Sequence, residues 1–327
     1  MKRITIYSLL ALLLLGAVGC TKAIDVEEPA ERDLVLNAVP AAGRRAFVHF
    51  AHTRFFLDDN NDQPVADARL TLYVNGVAMQ PDSVSRSKYF FPHTLQEDDA
   101  LAIDILGAGR TIHAETYVPL YPAVSNISTI YLPTETFNFI ATSFDLADHA
   151  GRPEYYNITI TERDSGMRYN EWTQAYDTVD TIVSTMCFVP FSPEITASDV
   201  ASYSPLGGRL MFLDRNIDGQ LYQVPLWIIH TVDTNEVAPF KHEYIIEIES
   251  VTPARFRYIL SASSQGGLTS FFAEQGSVYG NVDGALGIFA GSAKRRYTFD
   301  LDSILPAPST LVPPAEVMDQ ARAAAGN

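Results

Sequence analysis

The stretch HEYIIEIES, residues 242–250, puts Tyr244, Ile246 and Ile248 on one face of an extended chain and Ile245, Glu247 and Glu249 mainly on the other. Side chains along a strand alternate between faces, so this period of two reads as a strand with one side buried. The same alternation recurs in LVLNAVP (34–40), AFVHFAH (46–52), ARLTLYVNG (68–76), LAIDIL (101–106) and YYNITITER (155–163). A strand roughly every ten residues is the rhythm of a sandwich. Asn75-Gly76 closes one strand, DDNNDQP (58–64) separates two more, and Pro119, Pro122 and Pro133 punctuate the chain after Tyr117. These breaks predict a mainly β fold: an immunoglobulin-like N-terminal β-sandwich at 33–119, then a larger β-rich domain at 120–305 with one short packed helix.

That helix begins at Thr252 as N-cap with Pro253 in the first helical position, carries Phe256, Ile259 and Leu260 on one face, and stops at Gly266-Gly267. A second candidate, PPAEVMDQARAAA (313–325), ends a proline-rich tail at 306–327; docked and frayed states are both open for it.

The first residues, MKRITIYSLLALLLLGAVGC, set Lys2 and Arg3 before an apolar run from Ile4 to Val18 and end in small residues. This pattern predicts a signal peptide at 1–19, since the run is shorter than the ~20 apolar residues of a spanning helix. Ala17-Val18-Gly19-Cys20 resembles the lipobox of bacterial lipoproteins, with Ala17 where Leu is commoner, and that resemblance implies lipidation of Cys20. Residues 20–32, TKAIDVEEPAER after the cysteine, then form a flexible tether. Lys22 followed by Asp25, Glu27 and Glu28 is similar to a Bacteroidota surface-export signal, and equally fits a solvated acidic linker.

The 327 residues carry 23 Lys and Arg against 39 Asp and Glu, a net charge of -16 that would repel a phosphate backbone, so nucleic acid is not an expected partner. With 47% hydrophobic residues the chain can build a real core. If Cys20 carries lipid, Cys187 in STMCFVPF has no partner within the chain; its apolar surroundings fit a buried inert thiol rather than a nucleophile.

The glycines of SVYGNVDGALGIFAG (277–291) raise the question of a phosphate loop. Neither GxxxxGK[ST] nor GxGxxG is present, and Ile288-Phe289-Ala290 continues as a strand rather than a helix, so no cradle of N–H groups forms. A tight turn entering a core strand is the reading that remains. VYGNVDGALGIFAG is similar to the C-terminal signature V-Y-S-N-[IV]-x-G-G-x-G-I-F-G of Bacteroidota outer-membrane lipoproteins of the domain-of-unknown-function family 4249, with Gly280 in place of Ser and Ala285 in place of the second Gly. The similarity extends to LVLNA (34–38), PVADARLTLYVNG, EYYNITITERD (154–164), FLDRNIDGQLY (212–222) and the helix before FFAEQGSVY. Members commonly occur beside TonB-dependent receptors, so the resemblance implies a surface lipoprotein working with such a transporter.

For metals, Asp214-x-Asn216-x-Asp218-Gly219 offers oxygens at alternate positions as a calcium loop does, yet the twelfth position is Pro225, which lacks the closing carboxylate; a polar hairpin turn explains the same residues. Asp58, Asp59 and Asp62 read as a solvated loop tip. His49 and His52 point to opposite faces of a strand, and His93, His113, His149, His230 and His242 are scattered. No HExxH, CxxC, GxSxG or kinase set occurs, so no catalytic residue is assigned and no enzyme is expected. Trp172 and Tyr176, among the polar residues of YNEWTQAYDTVDTI, are the candidate binding residues. Four triplets, beginning at Asp82, Asp177, Asp180 and Asp302, resemble a Bacteroidota O-glycosylation pattern.

Three functions compete on these readings. The first is a non-catalytic, lipid-anchored envelope protein, an accessory or ligand-binding subunit of a TonB-dependent outer-membrane transporter. The second is an independent adhesin or structural surface protein. The third is a surface hydrolase with an unrecognised carboxylate site.

Overall fold

The computed structural model describes residues 32–53, 63–190, 200–204, 207–231, 233–263, 278–306 and 311–325. Cys20, the signal peptide, nearly all of the tether, the Asp58, Asp59 and Asp62 cluster and Gly266-Gly267 lie outside them.

Nine strands come first: β1 (Leu34–Ala38), β2 (Arg45–His52), β3 (Gln63–Pro64), β4 (Arg69–Val74), β5 (Val77–Met79), β6 (Ser83–Ser85), β7 (Lys88–Thr94), β8 (Ala100–Gly107) and β9 (Arg110–Tyr117). One sheet runs β1-β2-β7-β6, with β3 attached to β2, and the other β5-β4-β8-β9. In chain order these are the A-B-E-D and C′-C-F-G sheets of an immunoglobulin-like sandwich. Alternation aims Leu36, Phe50, Phe91, Leu72, Ile103 and Ile112 into one buried core. Asn75 and Gly76 both take positive φ (51° and 79°), which is what the two-residue hairpin joining β4 to β5 demands.

The chain continues through β10 (Ala123–Pro133), β11 (Asn138–Ala147), β12 (Tyr155–Asn170), β13 (Ala175–Ser184), β14 (Cys187–Phe188), β15 (Val200–Ser204), β16 (Arg209–Leu213), β17 (Leu221–His230) and β18 (Glu236–Val251). After the helix α1 (Pro253–Ser263) come β19 (Leu286–Phe289), β20 (Ser292–Asp300), β21 (Leu305–Pro306) and the helix α2 (Ala315–Ala325). These build a second sandwich. Its sheets are β14-β17-β11-β10-β21 and β15-β16-β12-β18-β20, with β13 on the far half of β12.

Tyr244, Ile246 and Ile248 of HEYIIEIES enter the second core beside Tyr156, Ile158, Ile160 and, from the facing sheet, Val224, Leu226 and Ile228. Each such side chain contributes roughly 1.5–3 kcal/mol relative to exposure. Helices cover both outer faces. Phe256 of α1 packs on Met211 and Val251, its ring 5.1 Å from that of Tyr155, while Val317 and Ala321 of α2 pack on Phe139, Phe188 and Trp227. The tail helix is therefore docked, giving two packed helices where the sequence predicted one. Thr252 also differs from expectation: its carbonyl accepts the first helical bond from Phe256 N–H at 3.0 Å, but its buried hydroxyl makes no hydrogen bond, so it caps by position without its side chain.

A second correction concerns the division into 33–119 and 120–305. Strand β19 pairs parallel with β1, Val35 opposite Leu286 and Ala38 opposite Phe289, and so completes the first sandwich from a distant part of the sequence. Two residues later β20 pairs antiparallel with β18 of the second sandwich, Val251 opposite Ser292. The glycines of VYGNVDGALGIFAG serve this crossing. A Cβ on Gly287, whose φ is +106°, would lie 2.1 Å from the Leu36 carbonyl oxygen, and one on Gly291 would lie 1.8 Å from that of Tyr117. Asn281 imitates a neighbouring strand, its amide donating to Phe289 O at 2.8 Å and its side-chain oxygen accepting from Phe289 N–H at 2.9 Å.

This geometry ranks two substitutions. Gly291→Ala forces backbone away from backbone and is expected to lower the unfolding free energy by roughly 2–4 kcal/mol. Gly109→Ala, at φ +70° with no neighbour within 4 Å, should cost only about 1 kcal/mol, from backbone conformation alone. Denaturant melts of the two variants check the order.

Candidate functional site

Three strands of the second sandwich carry polar residues onto the core face at the point where their apolar series end. On β12 the inward series Tyr156, Ile158, Ile160 continues to Glu162 and Asp164; on β18 Ile248, Ile246, Tyr244 continues to His242; on β17 Val224, Leu226, Ile228 continues to His230. Strand register sets Asp164 opposite His242 and Glu162 opposite Tyr244, while His230 arrives from the facing sheet. Five polar side chains thus meet between the sheets.

Their contacts are short. His242 Nδ1 lies 2.9 Å from Glu162 Oε1 and 3.0 Å from Asp164 Oδ1, and its Nε2 lies 3.0 Å from Glu236 Oε2. The Tyr244 hydroxyl stands 2.9 Å from Glu162 Oε1 and 2.8 Å from His230 Nδ1. A hydroxyl has one proton, so a consistent pattern is His230 Nδ1–H donating to the Tyr244 oxygen and Tyr244 donating to Glu162. The two imidazole rings meet edge to face with centroids 4.9 Å apart.

The hydrogen bond to Glu162, working against burial and aided by the charges of Glu236 and Glu162, holds His242 up at about 9, so its imidazole is protonated at neutral pH. Burial and the neighbouring His242 charge push His230 down, leaving it neutral. Arg168 is the second cation: its guanidinium reaches Glu236 at 3.1 Å, Asp233 at 3.1 Å and Asp164 at 3.5 Å, and lies 5.3 Å from the Phe240 ring centre. Four carboxylates, from Glu162, Asp164, Asp233 and Glu236, therefore face two cations. They border a cavity of about 280 Å³ whose wall also includes Thr185 and Ile229.

The other end of the same core holds a second polar cluster. Asp214 Oδ2 accepts from Glu154 N–H at 2.6 Å, Asp218 Oδ1 from Gly151 N–H at 2.7 Å, and Asp148 Oδ2 from Gly219 N–H at 2.9 Å. Here lies the sequence-predicted calcium loop Asp214, Asn216 and Asp218. Its two aspartates carry backbone N–H groups of the 148–154 segment, clasping two loops together, and Ile217 between them is a plug of the apolar core. Among the described residues a grouping of His and carboxylate ligand atoms falls at Glu162, His230 and His242. Asp148 is buried beside Glu154 and Asp214; burial chiefly, opposed by its bonds from Gly219 and Tyr156, pushes it up to about 6. Cys187 is buried and its thiol is pushed up to about 12 by burial, as suits an inert core residue.

The predicted binding residues lie elsewhere. Beyond the core, β12 and β13 run on with the first half of β18 as a three-stranded ribbon, and Trp172 sits at its tip, 98% exposed. Tyr176 is exposed and packs edge-on against Tyr169 at 5.3 Å. Met167, Val237 and Ile182 extend the same face as exposed apolar residues. A recess of about 390 Å³ at the tip is lined by Arg168, Tyr169, Asn170, Trp172, Asp177 and Asn235. The hydroxyl residues of the four O-glycosylation-like triplets, Ser83, Thr178, Thr181 and Ser303, are all exposed.

No family model matches the chain, and no curated protein does. Among solved structures it is similar to a membrane-anchored protein from Corynebacterium diphtheriae at 9% identity, covering 68% of this chain and 55% of that one with a TM-score of 0.20. The collagen adhesin CNA of S. aureus aligns at 9% identity over 82% of this chain and 93% of its own with a TM-score of 0.19, and the Enterococcus faecalis MSCRAMM ACE at 7% over 86% and 97% with 0.20. This chain spans little more than half of the first, and overlays this poor carry no weight for function.

The raised Asp148 carboxyl gives a pH dependence with a definite sign. Its protonated form is favoured in the folded state, so its stabilising contribution is complete below about pH 4, its ordinary range, and is lost as pH rises through about 6. Asp148→Asn should gain stability relative to wild type between pH 4 and pH 7, as read by denaturant melts across that range. A wild-type minus variant difference that stays flat refutes the assignment.

Proposed function

We propose that this chain is a non-catalytic interaction protein of the bacterial cell envelope, held by lipid on Cys20, and that it serves as an accessory or ligand-binding subunit of a TonB-dependent outer-membrane receptor. The ribbon of β12, β13 and β18 is its contact element. The observation that carries this is Trp172, a residue type that proteins bury when they can, standing 98% exposed at the tip of a hairpin. Trp and Tyr are the residues that most often anchor interfaces, since each brings a large rigid face and a polar handle. The lipobox resemblance at Ala17–Cys20 supports the anchor, and the landmarks shared with the lipoprotein family support the receptor. Among the described residues no helix is long and apolar enough to cross a membrane.

One observation favours the reading as a free-standing adhesin. Strand β13 pairs only with β12 among the described strands, and nine of its ten residues are exposed, so its outer edge offers backbone groups to an added strand. That mode of attachment needs no receptor in the same membrane.

Purification of the tagged protein from gently solubilised outer membrane separates the two. Wild type should bring down a TonB-dependent receptor in stoichiometric amount, and the double variant Trp172→Ala/Tyr176→Ala should lose it while its melting behaviour stays within about 0.5 kcal/mol of wild type, as exposed positions allow. Recovery of wild type alone would sink the transporter reading and favour the adhesin.

A further inference from the structure

The geometry points to Glu162, His230 and His242 as a binding site for a divalent transition-metal cation, zinc in the first place, placed between the two sheets of the second sandwich. One ligand atom from each residue lies within 4.8 Å of the other two. The separation is 2.9 Å from His242 Nδ1 to Glu162 Oε1 and 3.9 Å from His230 Nδ1 to the same oxygen. Zinc bonds of about 2.1 Å in a tetrahedron set neighbouring ligands about 3.4 Å apart, between those two values, so small side-chain rotations suffice.

The donor set selects the cation. Two imidazoles and one carboxylate suit zinc and its neighbours, whereas calcium and magnesium require six or more oxygens or a largely hydrated shell. The surroundings are those of a metal ligand as well. His242 Nε2 faces Glu236 Oε2 at 3.0 Å, the carboxylate that fixes a ligating imidazole's orientation and strengthens it as a donor. Asp164 Oδ1, 3.0 Å from His242 Nδ1, is placed to supply a fourth ligand, the second oxygen of the set. Charge agrees with geometry, because four carboxylates gather round the two histidines with Arg168 as the fixed cation beside them.

The bland alternative is a closed ion-pair network in which a proton on His242 Nδ1 bridges it to Glu162 and Asp164. A cation would take that proton's position and draw His230 in from the facing sheet, which the proton bridge does not require. His230 is the residue that distinguishes the two: in the closed network its Nδ1 bonds the Tyr244 hydroxyl at 2.8 Å and stands 3.9 Å from Glu162 Oε1, and a cation would require it to turn from Tyr244 toward that oxygen.

The test uses the purified protein stripped with a chelator and titrated with Zn²⁺ against a chromophoric competitor, with Co²⁺ as the spectroscopic probe. One equivalent should bind, Co²⁺ should develop the visible absorption of a low-coordinate nitrogen and oxygen site, and millimolar Ca²⁺ should not displace either. His230→Ala and Glu162→Gln should each weaken Zn²⁺ by at least tenfold, and Glu236→Gln by about 10–100-fold through His242. His149→Ala, at a histidine bonded to Glu154 in the other cluster, should leave binding unchanged and so controls for loss of fold. Absence of stoichiometric Zn²⁺ binding, displacement by Ca²⁺, or binding indifferent to both His230→Ala and Glu162→Gln would overturn the site.

Discussion

The pairing of β19 with β1 is the constraint on which the rest of this architecture depends. Strand pairing requires backbones to come within about 4.8 Å, and here the chain must do so and then cross the last strand of the first sandwich within two residues. Only glycine fits at Gly287 and Gly291, where a side chain would overlap the carbonyls of Leu36 and Tyr117. Gly291 N–H donates to Thr116 Oγ1 and its carbonyl accepts from Thr252 N–H, so the crossing point is bonded to both sandwiches and to the start of α1. This short segment consequently stitches the two sandwiches together, alongside the Arg152–Asp98 ion pair, and the glycine-rich stretch is a structural seam.

The second sandwich repeats a single device at both ends of its core. Between the sheets the side chains are apolar; at each end the inward positions turn polar and mostly acidic, with Asp148, Glu154 and Asp214 at one and Glu162, Asp164 and the base His242 at the other. Burying such groups is costly unless each finds partners. At the first end the partners include backbone N–H groups of the adjoining loops beside the Tyr156 hydroxyl and His149, so the cluster fastens loops. At the second they are side chains from both sheets, and the cluster joins the sheets and faces a cavity. Like residues thus serve different ends according to which segments answer them.

Much of this was legible in the sequence. The alternation in HEYIIEIES and YYNITITER put the right faces inward, because a period of two is a local property that strand geometry converts directly into burial. The turn at Asn75-Gly76 and the entry of the Gly280–Gly287 stretch into a core strand were readable for the same reason. What could not be read was anything depending on pairing between distant segments. His230 and His242 looked scattered because they lie on different sheets, although following each inward series one step further would have marked both. The Asp214–Gly219 loop matched a cation-binding spacing, and only the fold reveals that segment 148–154 supplies the donors and that Ile217 belongs to the core. The exposure of Trp172 was legible from its polar neighbours; that it crowns a ribbon standing clear of the core required the register of β12, β13 and β18.

The seam has a consequence for the order of events during synthesis. The first sandwich contains residues 34–117, yet one of its strands is residues 286–289, so a chain emerging amino end first has made β10 to β18 of the second sandwich before that sheet can close. Until then β1 presents a bare edge, the kind of surface that pairs with the wrong partner. A loop of some two hundred and fifty residues must also close to bring β19 home, which slows the step relative to the local hairpins around it. The first sandwich therefore cannot lock into its final form until most strands of the second have been made.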